Sequence, residues 1–354
     1  MAYFVTDKKF GPQATAILQR ASVPVDVTCI VAGKFRRYHR LALWRQLLDV
    51  PTLLQNCRDF FYTGIGFLQS WWLLWRIKPD VVFTKGGFVC VPLGFAAKLL
   101  RIPLVIHESD AHAGLANRLL ARWASTIATG WPLDNYSYPP SKAYYVGIPI
   151  DDSFRPVDSK QQQHFKGELG FHDTTKPLVV VTGGGLGAQN INRAMTAVAA
   201  SLLDTTAILH ITGTATYDET VKRAPEHIDY ILRPFVSTSM ATLFGAADVV
   251  VTRAGATALQ ELAAMAKPVI IVPNPHLTGG HQLKNAQSYH KAGAAVVLSE
   301  ESIKDSPLLL ARTINDLLTD SVKRLQLGKN LRAFAKPDAA SQVAALIVKA
   351  AGTK

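Results

Sequence analysis

Short runs of β-branched and aliphatic residues alternate with longer amphipathic stretches along the whole chain. That alternation predicts parallel sheets with helices on both faces, so the expected fold class is α/β. In the first half, residues 25–31, 80–84, 103–108 and 144–146 read as strands with helices between them. The second half opens at 177–182 with a run that is almost continuously apolar, as in a strand buried on both faces. Further strands are expected at 207–212, 230–235, 248–252 and 268–272. Two sheets imply two domains. Gly147-Ile148-Pro149 and the polar stretch 151–164 read as a hinge. The expected domains are therefore 1–150 and 151–335, with a last helix in 336–354 packing back on the first domain. Open parallel sheets hold ligands beyond the carboxyl ends of their strands, so function is expected in strand-to-helix loops facing a cleft between the domains.

Composition narrows the picture. A chain of 354 residues has room for two cores, and 18% charged against 48% apolar residues describes a packed protein. Cys29, Cys57 and Cys90 show no metal-ligand spacing, and no leader-like segment opens the chain, which points to a reducing cytoplasm. A net charge of +12 calls for a polyanionic partner. Between Lys34 and Arg76, the basic Arg36, Arg37, Arg40, Arg45 and Arg58 are interleaved with Trp44, Phe60, Phe61, Tyr62, Trp71, Trp72 and Trp75. The mixture suits the headgroup zone of an anionic membrane, with amphipathic rings at the interface and guanidinium groups on lipid phosphates. Its least polar part, 60–75, is shorter than the roughly 20 apolar residues of a spanning helix, so it lies on a bilayer rather than across one. Leu47, Leu48, Leu68 and Leu73 are expected to be ordinary core contacts. No nucleic-acid-binding motif accompanies the basic residues, so no nucleic-acid partner is expected.

Three loops of the second half carry the chemistry. Thr182-Gly183-Gly184-Gly185-Leu186-Gly187-Ala188 joins a buried strand to a helix, an arrangement that serves either a phosphate or merely tight packing. A dinucleotide is a second reading of the same loop. However, no acidic residue closes a strand about 20 residues on, and Asp204 is misplaced for that role. In Val251-Thr252-Arg253-Ala254-Gly255-Ala256-Thr257-Ala258-Leu259-Gln260-Glu261, small residues leave room at a helix start. Glu261 lies about one and a half turns in, where a carboxylate accepts hydrogen bonds from two ribose hydroxyls or simply faces solvent. Thr278-Gly279-Gly280-His281-Gln282 leads into another helix, where His281 and Gln282 read sugar hydroxyls or act as a cap. In the first half, Thr84-Lys85-Gly86-Gly87-Phe88 and His107-Glu108-Ser109-Asp110 each follow a strand. Lys85 suits a diphosphate or an exposed strand end.

Taken with Lys78-Pro79-Asp80-Val81-Val82, Gly114-Leu115-Ala116-Asn117-Arg118, Ala247-Asp248-Val249-Val250-Val251 and Asn285-Ala286, these strings stand in the order seen in the MurG family of glycosyltransferases, which the chain resembles over most of its length. The resemblance implies a GT-B fold of two Rossmann-like domains. It also implies inverting transfer of N-acetylglucosamine from UDP-N-acetylglucosamine to undecaprenyl-diphospho-N-acetylmuramoyl-pentapeptide, at the cytoplasmic face of the bacterial plasma membrane and without a cofactor or metal. Carried over position by position, Glu261 holds the ribose and the backbone at Val236 reads the uracil edge. Gly255, Ala256, Thr257, Ala258, Leu259 and Gln260 surround the diphosphate together with Gly184, Gly185 and Leu186. His281, Gln282 and Asp110 flank the donor sugar, and Gly86, Gly87 and Asn117 face the acceptor.

Departures from the family pattern carry consequences. Gly185 and Leu186 stand where many relatives have Ser-Gln, so a backbone N–H must serve the donor phosphate there. Asp151 stands near a position where an Arg is common, which leaves Arg253 or Arg155 to meet phosphate charge. The family also opens with a strand and a GGTGGH-like loop whose His is proposed to be catalytic. Met1-Ala2-Tyr3-Phe4-Val5 matches its second strand, no GGxGGH string is present, and the catalytic base is left unassigned. The expectation is that about thirty residues, a strand and a helix, belong ahead of Met1 and that their central strand is missing from the sheet. Two alternatives stay open: another glycolipid-forming transferase of the same fold, or a catalytically impaired UDP-sugar-binding protein at the membrane.

Overall fold

The computed structural model describes residues 1–19, 21–34, 50–184, 188–236, 240–276 and 280–352. The chain divides into two compact units, one of 1–147 with 340–354 and the other of 148–339. All strand pairs are parallel among the described residues.

In the first unit β1 (Ala2–Thr6) pairs only with β2 (Val25–Cys29), with helix α1 (Gly11–Leu18) between them in sequence. A separate four-stranded sheet runs in the order β3 (Val82–Thr84), β4 (Leu104–Glu108), β5 (Thr126–Thr129), β6 (Ala143–Tyr145). One edge each of β1 and β3 therefore carries no strand partner among the described residues. Helices α2 (Val50–Ile77), α3 (Cys90–Leu99) and α4 (Leu115–Leu120) belong to this unit, and Leu74, Leu93, Ile106, Leu120 and Ile127 form its main core. The strand β5 was not expected from the sequence. Its TIAT run is short and only one of its residues is strongly apolar, although three of the four are buried.

The 28-residue helix α2 packs on α3 through a narrow stripe that includes Leu74 and the fully buried Ser70. A Cβ at Gly66 would lie 1.8 Å from the Val31 carbonyl oxygen, so only glycine lets that chain segment cross the helix. Leu73 is buried, as its core assignment requires, but Leu68 is 63% exposed and belongs to the outer face. It shares that face with Phe60, Phe61, Tyr62, Trp71, Trp72 and Trp75, all exposed. Residues 36, 37, 40, 44, 45, 47 and 48 lie outside the described residues.

The second unit is a six-stranded sheet in the order β12 (Val296–Val297), β11 (Val269–Ile271), β10 (Val249–Thr252), β7 (Leu178–Thr182), β8 (Ala207–Ile211), β9 (Tyr230–Arg233). Its first strand in sequence, β7, is central and every one of its residues is buried, as the continuous apolar run predicts. From β7 the chain builds outward through β8 and β9, then returns to the other side for β10, β11 and β12. That reversal is the doubly wound pattern, whose ligand crevice lies at the carboxyl ends of the two strands where the direction changes, here β7 and β10. Val179, Ile191, Met195, Leu202, Val251, Ile270 and Ile314 fill the core. The final helix α14 (Ala339–Ala351) lays Val343 against Ala128 and Val146 of the first unit's small second core.

Candidate functional site

The three adjacent strands β7, β10 and β11 each feed a helix: α6 (Gln189–Leu203), α9 (Ala256–Ala264) and α10 (His281–Lys291) respectively. The residues at their starts are Ala188, Gly255 and Gly280, and none provides a side-chain cap. The first amide groups of a helix have no partner within it, so the starts of these three neighbouring helices turn the positive ends of their dipoles to the same edge of the sheet. Such an edge binds anions. The approach is open, because a Cβ at Gly255 or at Gly184 would meet nothing within 4 Å. Gly184 takes φ of +70°, a left-handed turn that L side chains rarely adopt.

Glu261 lies on α9 one and a half turns beyond Gly255. It is half-buried and forms no ion pair among the described residues, and burial pushes its carboxyl up to about 7, with the nearby Asp151 adding to the effect. A desolvated carboxylate without a cation is suited to a pair of neutral hydroxyl donors, which satisfy it without bringing charge.

The remaining expected ligands of this unit divide by exposure. Gly255, Ala256 and Ala258 are partly accessible and Thr257 is exposed, so this first turn can meet a diphosphate. Leu259 and Gln260 face inward instead. Leu259 is fully buried, and Gln260 is 2% exposed and donates from Nε2 to the Phe334 carbonyl at 2.9 Å, so these side chains hold α9 in place rather than touch a ligand. Arg253 also departs from its expected role. It is 6% exposed, its Nη2 is paired with the buried Glu300, and its Nη1 donates to the Val272 carbonyl at 3.2 Å. Its charge is neutralised inside the unit, which leaves the helix starts to meet phosphate. His281 and Gln282 open α10. The Gln282 Oε1 accepts from the Asn274 amide at 2.8 Å, which orients its NH2 group as a donor. Val236 follows β9, the sheet edge strand, and is separated from β7 by β8. Gly185 and Leu186 lie outside the described residues.

Two groups that the sequence did not single out as functional hold these loops. Asn285 is fully buried, and its Nδ2 donates to the Ala254 carbonyl at 3.1 Å, tying α10 to the turn before α9. His210 on β8 is fully buried and neutral, desolvation taking its imidazole down to about 3. Asn192 Nδ2 donates to the Thr212 carbonyl at 2.8 Å, so its Oδ1 accepts from His210 Nε2 at 2.9 Å, and the Tyr230 hydroxyl donates to His210 Nδ1 at 2.9 Å. The network ties the first turn of α6 to the sheet just behind the glycine loop.

In the first unit, the turn after β3 takes Gly86 and Gly87 to φ of +85° and +97°. Gly87 is open, whereas a Cβ on Gly86 would come to 3.0 Å from the Asn117 amide nitrogen. Asn117 is 2% exposed and donates to the His107 carbonyl and to Glu108 Oε2, both at 3.0 Å, so it supports the Gly86 turn from behind instead of facing an acceptor. Glu108, buried and raised above the usual carboxylate range by desolvation, also accepts from the Gly114 and Asp110 amides at 2.8 and 3.2 Å. It thereby holds the loop that carries Asp110. His107 Nε2 donates to the Gly147 carbonyl at 2.8 Å, so its Nδ1 accepts from the Ser109 hydroxyl, and burial takes it down to about 4.

Both halves of the chain match known families. The glycosyltransferase family 28 C-terminal domain matches residues 178–343, and the family 28 N-terminal domain matches residues 38–129. The UDP-N-acetylglucosamine–N-acetylmuramyl-(pentapeptide) pyrophosphoryl-undecaprenol N-acetylglucosamine transferase of Lachnospira eligens is 34% identical over 80% of this chain and 74% of its own length. The protein of the same name from Halothermothrix orenii is 35% identical, over 80% and 78%. The one from Clostridium novyi is 31% identical over 90% and 83%. Among solved structures, MurG of Acinetobacter baumannii superposes with a TM-score of 0.65 at 22% identity, covering 99% of this chain and 100% of that one. The UDP-GlcNAc 2-epimerase of Neisseria meningitidis, bound to UDP-GlcNAc, reaches 0.64 at 13% identity over 98% and 99%. These likenesses establish the GT-B class of two parallel-sheet α/β domains.

Proposed function

This chain belongs to the MurG family within glycosyltransferase family 28, and from that premise we propose that it transfers N-acetylglucosamine from UDP-N-acetylglucosamine to undecaprenyl-diphospho-N-acetylmuramoyl-pentapeptide, a step of peptidoglycan synthesis. One observation carries the donor half of this reading: the unpaired, desolvated Glu261 sits one and a half turns into a helix that no side chain caps. A uridine diphosphate sugar fits both features. Its ribose hydroxyls donate to Glu261, and its diphosphate lies on the amides at the starts of α9 and α6, with Gln282 donating to the sugar.

The chemistry follows from that placement. The acceptor C4 hydroxyl attacks the anomeric carbon of the donor and gives its proton to a base, the bond from that carbon to the diphosphate oxygen breaks with its electrons leaving on UDP, and the configuration inverts. Negative charge grows on the leaving UDP, and amide dipoles already aimed at the diphosphate stabilise that charge without reorganising. In the first unit the exposed Gly87 beside the braced Gly86 offers backbone to the acceptor diphosphate, and Asp110 sits on a loop fixed by Glu108.

The acceptor is lipid-linked, so the enzyme works at a membrane. None of the described helices is long and apolar enough to cross one. The outer face of α2 supplies contact instead. Its Trp71, Trp72 and Trp75 lie in the interface plane, while Arg58, over the Tyr62 ring at 5.5 Å, and Arg76, over the Trp72 ring at 5.4 Å, meet anionic headgroups. Peripheral attachment to the cytoplasmic face of the plasma membrane, and through cell-wall synthesis a part in cell shape and division, belong to the same reading. The test is incubation with radiolabelled UDP-N-acetylglucosamine and the lipid-linked muramoyl-pentapeptide. Label entering the lipid product is expected, and label remaining wholly on the nucleotide would rule the activity out.

A further inference from the structure

A cavity of about 590 Å³ opens on the first unit between α4 and the segment 135–142. Among the residues that line it are Arg118, Arg122, Lys142, His112, Tyr136 and Tyr138, and no Asp or Glu does. Arg118 and Arg122 stand four residues apart on α4 and the turn that follows it, side by side on one face, and neither forms an ion pair among the described residues. Lys142 Nζ donates to the Ala121 and Ala124 carbonyls at 2.7 and 3.0 Å, so it seals the end of α4 while leaving its charge at the cavity wall. The rings of Tyr136 and Tyr138 stack at 5.3 Å and 19°. The Tyr138 hydroxyl is buried with no hydrogen-bond partner among the described residues. A native buried hydroxyl is normally satisfied, so this one awaits an acceptor.

We propose that this cavity is the subsite for the peptide of the acceptor, with Arg118 and Arg122 binding its free carboxylate. The inference rests on the transfer reaction proposed above. Size argues for a ligand larger than an ion, because the volume falls in the range of roughly 300–1,000 Å³ typical of sites for small organic molecules. The lining argues for a peptide rather than a lipid. Its apolar members are Ala113, Ala121 and Pro139, too short to hold an acyl chain, whereas Asn135, Ser137 and the Tyr138 hydroxyl suit backbone amides. A peptide joined to the muramoyl group through its amino end keeps a free terminal carboxylate, which matches two guanidinium groups that have no acidic partner. The location fits as well. Asn117, which supports the Gly86 turn offered to the acceptor diphosphate, is the residue before Arg118. The Tyr136 hydroxyl donates to the Asp110 carbonyl at 2.7 Å, so the cavity wall is fastened to the loop that carries Asp110.

The test uses the full chain, a water-dispersible acceptor with a short lipid, and the same acceptor with its peptide carboxylates converted to amides. With the carboxylate acceptor, R118A/R122A is expected to raise the acceptor KM about tenfold or more while the donor KM stays at the wild-type value. With the amidated acceptor, wild type and variant should coincide. Y138F should give a smaller rise with both acceptors, and thermal melting should show all variants folded. An unchanged acceptor KM in the double variant, or an equal defect with both acceptors, would overturn the subsite. So would a defect seen only in binding to anionic vesicles, which would assign the cavity to lipid headgroups. Wild-type protein that uses neither acceptor would instead overturn the transfer reaction, and the subsite with it.

Discussion

Helices of the second unit begin in two ways. Helices α5 (Ser159–Glu168), α11 (Glu300–Asp305) and α13 (Ser321–Arg332) start at Asp158, Ser299 and Asp320, whose side chains accept from the backbone amides of Gln161, Ser302 and Lys323. Helices α6, α9 and α10, at the carboxyl ends of adjacent strands, start at Ala188, Gly255 and Gly280 and have no such cap. Relative to a capping Ser, Thr, Asn or Asp, the start at Ala188 costs roughly 0.5–2 kcal/mol and the glycine starts about a few tenths each, all at the crevice. Two glutamates repeat the contrast. Glu300 is buried against Arg253, whereas Glu261 is half-buried with no cation and has a raised carboxyl. Uncapped starts also occur elsewhere in this unit, at Thr216 and Ser306, so what marks the place for a ligand is the grouping of three such starts at adjacent strand ends around Glu261.

The sharpest way to break the comparison is to exchange the consequences of the two glutamates. R253A leaves Glu300 buried and unpaired and should cost about 3–5 kcal/mol of stability in urea unfolding, while R253M/E300L should cost much less. E261A should leave stability nearly intact but weaken UDP-N-acetylglucosamine binding by about 1.5–3 kcal/mol in titration calorimetry, the worth of hydrogen bonds to a charged group. If E261A unfolds the protein and R253A weakens only binding, the assignment is reversed.

Proton linkage sharpens the same point. Ribose hydroxyls donate to the ionised form of Glu261, and in the free protein that carboxyl is raised to about 7. Below that pH, binding must first remove a proton. Affinity for UDP-N-acetylglucosamine, whose diphosphate diester does not titrate there, should therefore rise with pH through about 7. Below the midpoint the slope approaches tenfold per unit. E261Q should flatten the profile. The smallest effects concern the caps. G255D adds a cap at an open position with ordinary φ of −71° and should stabilise slightly while weakening binding through repulsion of the diphosphate. S299A should lose about 1 kcal/mol of stability with no change in binding.

Much of this unit was readable from sequence because it depends on local pattern. The run in β7 is apolar on both faces, and Glu261 follows Gly255 at a spacing that a single helix preserves. What escaped depends on distant contacts. The partner of Arg253 lies 47 residues away on a helix after β12, so its cation reads as available for phosphate until the fold brings Glu300 to it. Gln260 sits beside Glu261 in the same motif, yet the helical step of about 100° turns it inward to Phe334. Asn117 belongs to a family string and was expected to face the acceptor, but is buried behind the Gly86 turn. On α2 the apolar residues outnumber what one packing stripe can bury, so Leu68 and Leu73 look equivalent in sequence and end on opposite faces.

Hydrogen exchange with and without saturating UDP-N-acetylglucosamine tests the central claim most directly, because it reads the helix starts themselves. The account predicts protection of amides at the beginnings of α6, α9 and α10, and no change at those of α5, α11 and α13. Protection absent from the first group, or spread equally over both, would contradict it.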